Sequence, residues 1–182
     1  VEGVDPKEFR TQKIDISTHT AIILTSKVAV DHFFRMAEAM RFEVPDTMKY
    51  FCITEAVALY LQKYVTYRKR KIFFGKQTID ELAELMKKQK GEKFLLPCTD
   101  ILRDNIPLTL EKYNIPFTKA ILYRTVAADL SDLEDVYYDM LVFFSPGGIE
   151  SLFKNFPDFK QNTTTIAAFG PTTANAVLKN NL

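Results

Sequence analysis

Residues 21–26 read AIILTS, and residues 140–145 read MLVFFS. Each stretch is a short, continuously apolar run that ends in a serine. Continuous rather than alternating apolar residues are typical of strands that are buried on both faces of a parallel sheet. The two stretches therefore predict two equivalent strands of an α/β fold, 119 residues apart.

The similarity continues beyond these two strands. A helical segment follows each one, with an apolar residue, an acid and an aromatic at matching steps: Val30, Asp31 and Phe34 in the first, and Ile149, Glu150 and Phe153 in the second. A second matched pair, residues 52–54 and 168–170, follows at an offset of 116. Two matches in the same order at nearly the same offset predict two copies of one α/β module.

The rest of the chain continues the alternation of strands and helices. Strands are predicted at residues 21–24, 50–53, 72–74, 94–96, 120–123, 140–144 and 165–169. Apolar stripes at helical spacing predict one helix through Ala29, Val30, Phe33, Phe34 and Ala37, and another through Ile79, Leu82, Ala83 and Met86. A third helix is predicted after Asp100, with Ile101, Leu102, Ile106 and Leu110 on its apolar face and a bend or break at Pro107. This order is typical of a parallel sheet flanked by helices.

Composition excludes several classes of protein. The chain has 182 residues and a net charge of +1, so no overall field favours nucleic acid. We interpret the basic run at residues 68–71 as a solvated loop. No apolar run is long enough to span a membrane. Cys52 and Cys98 are expected to be buried thiols in a reducing cytoplasm. No acid or cysteine lies at a catalytic or ligand spacing from His19 or His32, so both are interpreted as structural or solvated and no metal cluster is expected. The acidic stretch 129–139 is interpreted as a solvated connector and helix start.

Candidate binding residues lie where the predicted strands lead into helices, the edge at which parallel sheets bind ligands. The unpaired amides of helix N-termini favour carboxylates or phosphates, so a polyanionic ligand is predicted. The alternative is that these residues only cap helices, for which Ser26, Ser145 and Thr172 are suited. The turns are Thr25-Ser26-Lys27, Thr54-Glu55, Pro97-Cys98-Thr99, Ser145-Pro146-Gly147-Gly148 and Gly170-Pro171-Thr172-Thr173. Tyr123, at the end of a strand, is either a core aromatic or a site residue.

Three motifs resemble successive signatures of the uroporphyrinogen-III synthase family. They are residues 123–126 (YRTV), 143–148 (FFSPGG) and 167–174 (AAFGPTTA). Upstream, Leu96-Pro97-Cys98 with Arg103 and Pro107, and residues 24–30, resemble further elements of the family. The similarity runs from about residue 20 to residue 176, and the ordered set is more specific than any one motif.

The resemblance implies a fold of two similar α/β domains with parallel sheets flanked by helices, a two-stranded linker and a cleft between the domains. One domain is inserted within the other. Carried over here, residues 1–119 would be the inserted domain, and residues 120–182 would be part of the second domain. The duplication itself indicates that one strand-helix unit of the second domain is missing at each end.

The family closes hydroxymethylbilane, a linear tetrapyrrole rich in carboxylates, into a ring with inversion of the last pyrrole. The resemblance implies that Tyr123 assists departure of the substrate hydroxyl. It also implies a cleft lined by Ser26, Ser145, Thr172 and Thr173. With the turn residues around them, the predicted substrate-binding set is Thr25, Ser26, Lys27, Thr54, Ser145, Pro146, Gly147, Gly170, Thr172 and Thr173.

This chain departs from the family pattern at three positions. Thr54 replaces a usual glycine, Val57 replaces a usual threonine, and Gly147 replaces a frequent serine. These differences weaken the expectation of carboxylate contacts from the Thr54 turn.

From the resemblance we expect a lyase that acts in porphyrin and haem biosynthesis. We expect it to be cytoplasmic and monomeric, to need no cofactor or metal, and to bind neither nucleic acid nor membrane. The alternatives are a non-catalytic relative that binds a tetrapyrrole or another polyanion, and an unrelated two-domain α/β binding protein.

Overall fold

The computed structural model of the protein describes residues 1–101 and 105–182. Its strands are β1 (Glu2–Gly3), β2 (Ala21–Leu24), β3 (Lys49–Cys52), β4 (Ile72–Phe74), β5 (Phe94–Thr99), β6 (Phe117–Arg124), β7 (Met140–Phe143) and β8 (Thr165–Ala168). Its α-helices are α1 (Pro6–Thr11), α2 (Lys27–Ala39), α3 (Glu55–Tyr60), α4 (Ile79–Lys87), α5 (Asn105–Lys112), α6 (Pro146–Asn155) and α7 (Pro171–Lys179). Short 3₁₀ turns occupy Ile16–Thr18, Leu61–Lys63 and Ser131–Leu133.

The chain divides into two compact units, Val1–Thr125 and Val126–Leu182. The resemblance places this boundary after Lys119, six residues earlier than the structure does. The reason is that β6 pairs with β5 from Phe117 to Tyr123, so the whole strand belongs to the first sheet. The assignment of inserted and outer domains stays a prediction.

The first unit contains a six-stranded sheet in the order β1-β6-β5-β2-β3-β4. All its neighbouring strands are parallel except β1, which runs antiparallel to β6. The mixed α/β fold with a mainly parallel sheet flanked by helices is therefore confirmed, as are all seven predicted strands to within a few residues. The two residues of β1 are too few to give a sequence pattern, and β1 was not predicted.

Helices cover both faces of this sheet because its strands are apolar on both sides. Ile22 and Leu24 join a core cluster with α2 and α3, whereas Ala21 and Ile23 join a separate cluster with α4 and α5. Alternate residues of a strand point to opposite faces, so one four-residue strand contributes to both cores. All four side chains are fully buried.

The predicted helices need one correction. The stripes of α2 and α4 are confirmed, and all their members are buried except the half-buried Phe34. The described part of the third predicted helix is α5, Asn105–Lys112, and Ile101 is a bend residue that is 72% exposed. Pro107 lies within α5 and does not interrupt it, contrary to the prediction. Leu102 and Arg103 lie outside the described residues.

The second unit repeats the strand pairing of the first. In the first unit, β2 and β3 pair from Ala21↔Lys49 to Leu24↔Cys52. In the second, β7 and β8 pair from Met140↔Thr165 to Phe143↔Ala168, also in parallel. The offsets of 119 and 116 found in the sequence carry one set of pairs onto the other without a shift. The predicted duplication therefore extends to the strand register.

No helix among residues 1–101 and 105–182 is long and apolar enough to cross a membrane. The basic run is an exposed loop before β4, as predicted, with Arg68, Lys69 and Arg70 all exposed. The acidic connector is also as predicted, since Asp129 accepts the Ser131 amide at 3.0 Å where a short 3₁₀ turn begins.

Candidate functional site

The order of the strands in the first unit creates a switch point between β2 and β5. From β2 the chain adds β3 and β4 on one side of the sheet, and then returns to add β5 and β6 on the other side. The two central strands pair only at Ala21↔Phe94 and Ile22↔Leu95, before their carboxyl ends. Open parallel sheets bind ligands beyond the carboxyl ends of the strands at such a point. The first unit therefore has a site-forming edge where β2 and β5 end.

Ser26 follows β2 at this edge and begins α2. Its backbone is extended, and its Oγ accepts the Ala29 amide at 3.0 Å, so it is an N-cap as predicted. Thr25 beside it is half-buried, and Lys27, the first helical residue, is exposed. The Lys27 Nζ lies 5.4 Å from the centre of the Tyr60 ring, a cation–π contact. This turn therefore combines a helix N-terminus with an exposed positive charge.

Tyr123 lies at the end of β6 and is 8% exposed. It is paired with Thr99 of β5 on one side and with Gly3 of β1 on the other. Burial raises the pKa of its phenol, while a hydrogen-bonding interaction with the Ser26 side chain opposes the rise. The structure thus brings the predicted catalytic residue and the predicted Ser26 turn together. A phenol in this setting stays protonated at neutral pH and can donate a hydrogen bond.

Pro97, Cys98 and Thr99 do not form the predicted strand-to-helix turn. All three belong to β5, and an irregularity in pairing falls between Cys98 and Thr99. Pro97 is tolerated inside the strand because pairing with β2 has already ended at Leu95. Cys52 and Cys98 are free and buried as predicted, and burial raises their pKa values to about 12 and about 11. Both are therefore thiols rather than thiolates at neutral pH.

The Thr54 hydroxyl caps the helix that follows it. The Thr54 hydroxyl accepts the Val57 amide at 3.4 Å, and Val57 is buried in the core at 6% exposure. The helix that follows, α3, has only six residues. Val57 therefore presents no polar group here, and the short helix contributes a weaker dipole than α2.

The turn before α6 in the second unit differs from its counterpart at Ser26. Ser145 holds the N-cap position but makes no capping hydrogen bond, so the predicted cap is wrong in this respect. The Gly148 amide donates to the Ser145 carbonyl, at 3.1 Å. Ser145 and Gly147 are exposed, and Pro146 is the first helical residue. The Ser145 hydroxyl is therefore not used by the helix that it precedes.

The turn before α7 is built on glycine. Gly170 is the N-cap with a φ of +82°, and Pro171 is the first helical residue. Thr172 therefore lies inside the helix and is not the predicted cap. Thr172 is exposed, whereas Thr173 is 3% exposed. Of the two predicted threonines, Thr172 has the more accessible hydroxyl.

An apolar cavity of about 520 Å³ in the second unit lies elsewhere, between β7, α6 and the preceding connector. Leu133, Tyr138, Val142, Leu152 and Phe156 are among its lining residues. Of the residues in the candidate turns only Gly148 lines it, and its walls offer no cationic group to a carboxylate. We do not assign it to the candidate site. The described residues also contain no group of three His, Cys, Asp or Glu side chains arranged to hold a metal.

The model of one protein family matches almost the whole chain, over residues 3–182, and describes uroporphyrinogen-III synthase HemD. The chain belongs to the uroporphyrinogen-III synthase family. Membership confirms the predicted family and function, and with them the prediction of an enzyme, a lyase of tetrapyrrole biosynthesis. Comparison with curated protein sequences gives no significant match.

Solved structures of this family share the fold. The chain is similar to the uroporphyrinogen-III synthetase from Helicobacter pylori, with a TM-score of 0.61 and 20% identity, over 93% of this chain and 77% of that one. It is also similar to the uroporphyrinogen III synthase from the extremely thermophilic bacterium Thermus thermophilus. The wild-type form gives a TM-score of 0.54 and 18% identity over 100% of this chain and 76% of that one. A mutant form of the same enzyme gives a TM-score of 0.56 and 16% identity over 100% of this chain and 77% of that one.

Sequence reasoning missed a network between α2 and residues 60–64, beside the Lys27 turn. Asp31 accepts hydrogen bonds from Tyr60 at 2.8 Å, Tyr64 at 2.5 Å and Lys63 at 3.1 Å. Partial burial raises the pKa of Asp31, but these donors outweigh it and the pKa is lowered. The available signal was Asp31 lying one helical turn beyond Lys27 on the same face. The network fixes the Tyr60 ring against which Lys27 and Lys63 pack.

Sequence reasoning also dismissed His32, whose ring stacks on Tyr123 at 5.1 Å between centroids. Only the pairing of His32 with Arg35, three residues apart on one helix face, was visible in the sequence.

Proposed function

We propose that this chain converts hydroxymethylbilane into uroporphyrinogen III and that Tyr123 assists loss of the substrate hydroxyl. The observation that carries the proposal is the position of Tyr123, a buried and protonated phenol beside Ser26 at the switch-point edge. Membership of the family supports the reaction, and the geometry supports the assignment of the residue.

The first step breaks the bond between the terminal methylene carbon of the substrate and its hydroxyl oxygen. Electrons of the adjacent pyrrole expel the oxygen, and the Tyr123 phenol donates a hydrogen bond to it as it leaves. The azafulvene that results is attacked by the last pyrrole ring at its substituted carbon, which gives a spiro intermediate. The methylene bond that originally joined this carbon to the neighbouring pyrrole then breaks, which leaves an azafulvene on that neighbour. The unsubstituted α-carbon of the turned ring attacks the azafulvene and closes the macrocycle, and loss of the proton from that carbon restores aromaticity.

Carboxylate binding by turns at the strand ends would direct the closure. Lys27 supplies a charge at the α2 turn, and the hydroxyls of Ser145 and Thr172 are accessible in the second unit. Thr25, Pro146, Gly147, Gly170 and Thr173 complete these turns as backbone or packing neighbours. Thr54 is the weakest member of the set, because its hydroxyl caps a short helix.

Positioning alone can account for the choice of product. The same substrate closes to the uninverted type I ring without an enzyme, so the enzyme must favour one route over another. A preference of about 100-fold needs only about 2.7 kcal/mol between the two barriers. Several hydrogen bonds to substrate carboxylates, together with fixed geometry, can supply this difference. We also propose a monomer that acts in the cytoplasm, without nucleic acid or membrane.

The test is to supply hydroxymethylbilane and determine the isomer of the oxidised product for the wild type, Tyr123→Phe and Tyr113→Phe. Tyr113 is the matched control, since it is half-buried against the core on the other face of the sheet and packs against the exposed Lys87 and Lys112. Tyr123→Phe should lower kcat by about 10- to 100-fold, the loss of one transition-state hydrogen bond, and leave KM nearly unchanged. Tyr113→Phe should leave both unchanged. Mostly type I product from the wild type would reject catalysis and favour a non-catalytic tetrapyrrole-binding relative.

A further inference from the structure

The ring of His32 covers one face of Tyr123. His32 lies on the second turn of α2, and its imidazole stacks on the phenol with a centroid distance of 5.1 Å and an interplanar angle of 19°. Ser26, the N-cap of the same helix, lies near enough to oppose the rise in the pKa of the phenol. The stacked imidazole therefore fixes the plane of the Tyr123 ring.

Arg35 in turn fixes the imidazole. Its Nε donates to the His32 Nδ1 at 3.1 Å, so Nδ1 carries no proton and the neutral ring has its proton on Nε2. One terminal nitrogen of Arg35 donates to the carbonyls of Val4 at 3.0 Å and Leu122 at 3.1 Å. The guanidinium therefore ties α2 to the backbone on either side of the β1–β6 pair, next to Tyr123.

Gly3 is part of the same arrangement. A Cβ added to Gly3 would lie 2.7 Å from the guanidinium carbon of Arg35, closer than any normal contact. The guanidinium thus packs directly on the backbone of β1, in a space that only glycine leaves open. This gives a way to displace Arg35 without changing Arg35, His32 or Tyr123.

We infer that His32 and Arg35 are positioning residues for the reaction, holding the Tyr123 phenol in the orientation that meets the departing hydroxyl. The inference rests on the proposed function of Tyr123. His32 acts through Tyr123 and has no assigned contact with the substrate. Small displacements of a reacting group are costly, since a shift of about 1 Å can lower a rate about 100-fold.

The arrangement requires a neutral imidazole. A protonated His32 would turn an N–H towards the Arg35 Nε–H, so the hydrogen bond between them would be lost. Burial and the nearby charge of Arg35 lower the pKa of His32, and Asp31 opposes them. Tyr123, the remaining titratable group against the ring, is uncharged at neutral pH. Acid should therefore loosen the stack below the ordinary histidine pKa of 6.5.

The decisive comparison is between His32→Ala and His32→Phe. Alanine removes the stacking ring, and phenylalanine keeps a ring that cannot be protonated. We expect His32→Ala to lower kcat and the fraction of type III product about tenfold with KM within about twofold, since substrate binding is not touched. His32→Phe should restore most of kcat at neutral pH and should lack the decline that the wild type shows in acid. Gly3→Ala should reproduce part of the His32→Ala defect.

A second measurement reports on Tyr123 without catalysis. The absorbance of tyrosinate is followed with rising pH, and the curve of Tyr123→Phe is subtracted to isolate Tyr123. His32→Ala should move the Tyr123 titration to lower pH, because the ring loses cover on one face and is better solvated. His32→Phe should leave it in place.

These outcomes separate the two ideas. If the wild type makes only type I product, the proposed function is wrong. The tyrosinate titration still decides in that case whether His32 and Arg35 hold Tyr123. An active wild type whose kcat and titration are both unchanged by His32→Ala overturns the positioning role. Equal kcat values for His32→Ala and His32→Phe, both well below the wild type, would also overturn it, because the stacking ring would then be irrelevant.

Discussion

Ser26 and Ser145 occupy the same position in the two copies of the module, yet only Ser26 caps its helix. Ser26→Ala removes the acceptor of the Ala29 amide, which is bonded at 3.0 Å. Loss of an N-cap serine costs about 1 kcal/mol, within a range of about 0.5–2. Ser145→Ala removes no capping bond and should change the free energy of unfolding by less than about 0.5 kcal/mol. The two substitutions are chemically identical, so each is a control for the other.

The assay is urea unfolding followed by far-ultraviolet circular dichroism, since the chain has no tryptophan to report by fluorescence. If the two units unfold separately, the loss should fall in the transition of the first unit. Hydrogen exchange provides a local check, because the Ala29 amide should exchange faster in Ser26→Ala. Equal destabilisation by the two substitutions, or none by Ser26→Ala, would show that the capping hydrogen bond does not contribute to the free energy of unfolding.

Ser145→Ala, which should leave stability unchanged, should instead weaken substrate binding. The Ser145 hydroxyl is free to meet a carboxylate, and a hydrogen bond to a charged group contributes roughly 1.5 kcal/mol or more. Ser145→Ala should therefore raise KM by about tenfold while stability is unchanged. Unchanged KM would remove Ser145 from the proposed substrate-binding set.

Three further predictions follow from burial, backbone conformation and protonation. Gly170→Ala should lower the free energy of unfolding by about 1–2 kcal/mol, because Gly170 has a φ of +82°. Gly147→Ser should leave the free energy of unfolding nearly unchanged, because its new Cβ would meet only Ser145 Oγ, at 3.9 Å. Thermal unfolding of both variants checks this. Cys52 and Cys98, with pKa values raised by burial to about 12 and about 11, should resist a thiol reagent at pH 8 until the protein is denatured, and rapid reaction of either thiol in the folded state would contradict their burial. Because burial raises the pKa of Tyr123 above its ordinary value of 10.0, kcat should stay level from neutral pH to about 10 and fall only above it, so a decline centred below 10 would exclude the phenol as the essential donor.

The fold could be predicted from the sequence because the strands and helices of a parallel α/β fold have recognisable local patterns of apolar residues. The continuous apolar run of β2 and the stripe of α4 are examples, and both are buried as expected. The length of β5 could not be predicted, since a proline usually ends a strand. Pro97 continues it only because pairing with β2 has already stopped, which is a property of the sheet rather than of the segment.

The candidate site was predictable only in part. Ser26 and Tyr123 were identified separately, the first as a helix cap and the second from a resemblance. Their proximity depends on the strand order. His32 was set aside because no acid or cysteine lies at a suitable spacing along the chain. Its partner Tyr123 comes from a distant strand, so no local pattern could show the contact. The capping difference between Ser26 and Ser145 depends on which acceptor the third amide of the helix selects, which no sequence pattern shows.

The unshifted strand register of the two modules constrains how they diverged. The offset falls from 119 to 116 between the first and the second strand pair, and α2 has 13 residues where α6 has 10. The connectors after these helices, residues 40–48 and 156–164, are equally long. The whole length difference therefore resides in the helix, as nearly one turn of about 3.6 residues. A difference of nearly one turn keeps the residues that follow on almost the same face of the helix, whereas deleting one or two residues from α2 would rotate Met36 and Ala37 about 100–200° out of the core.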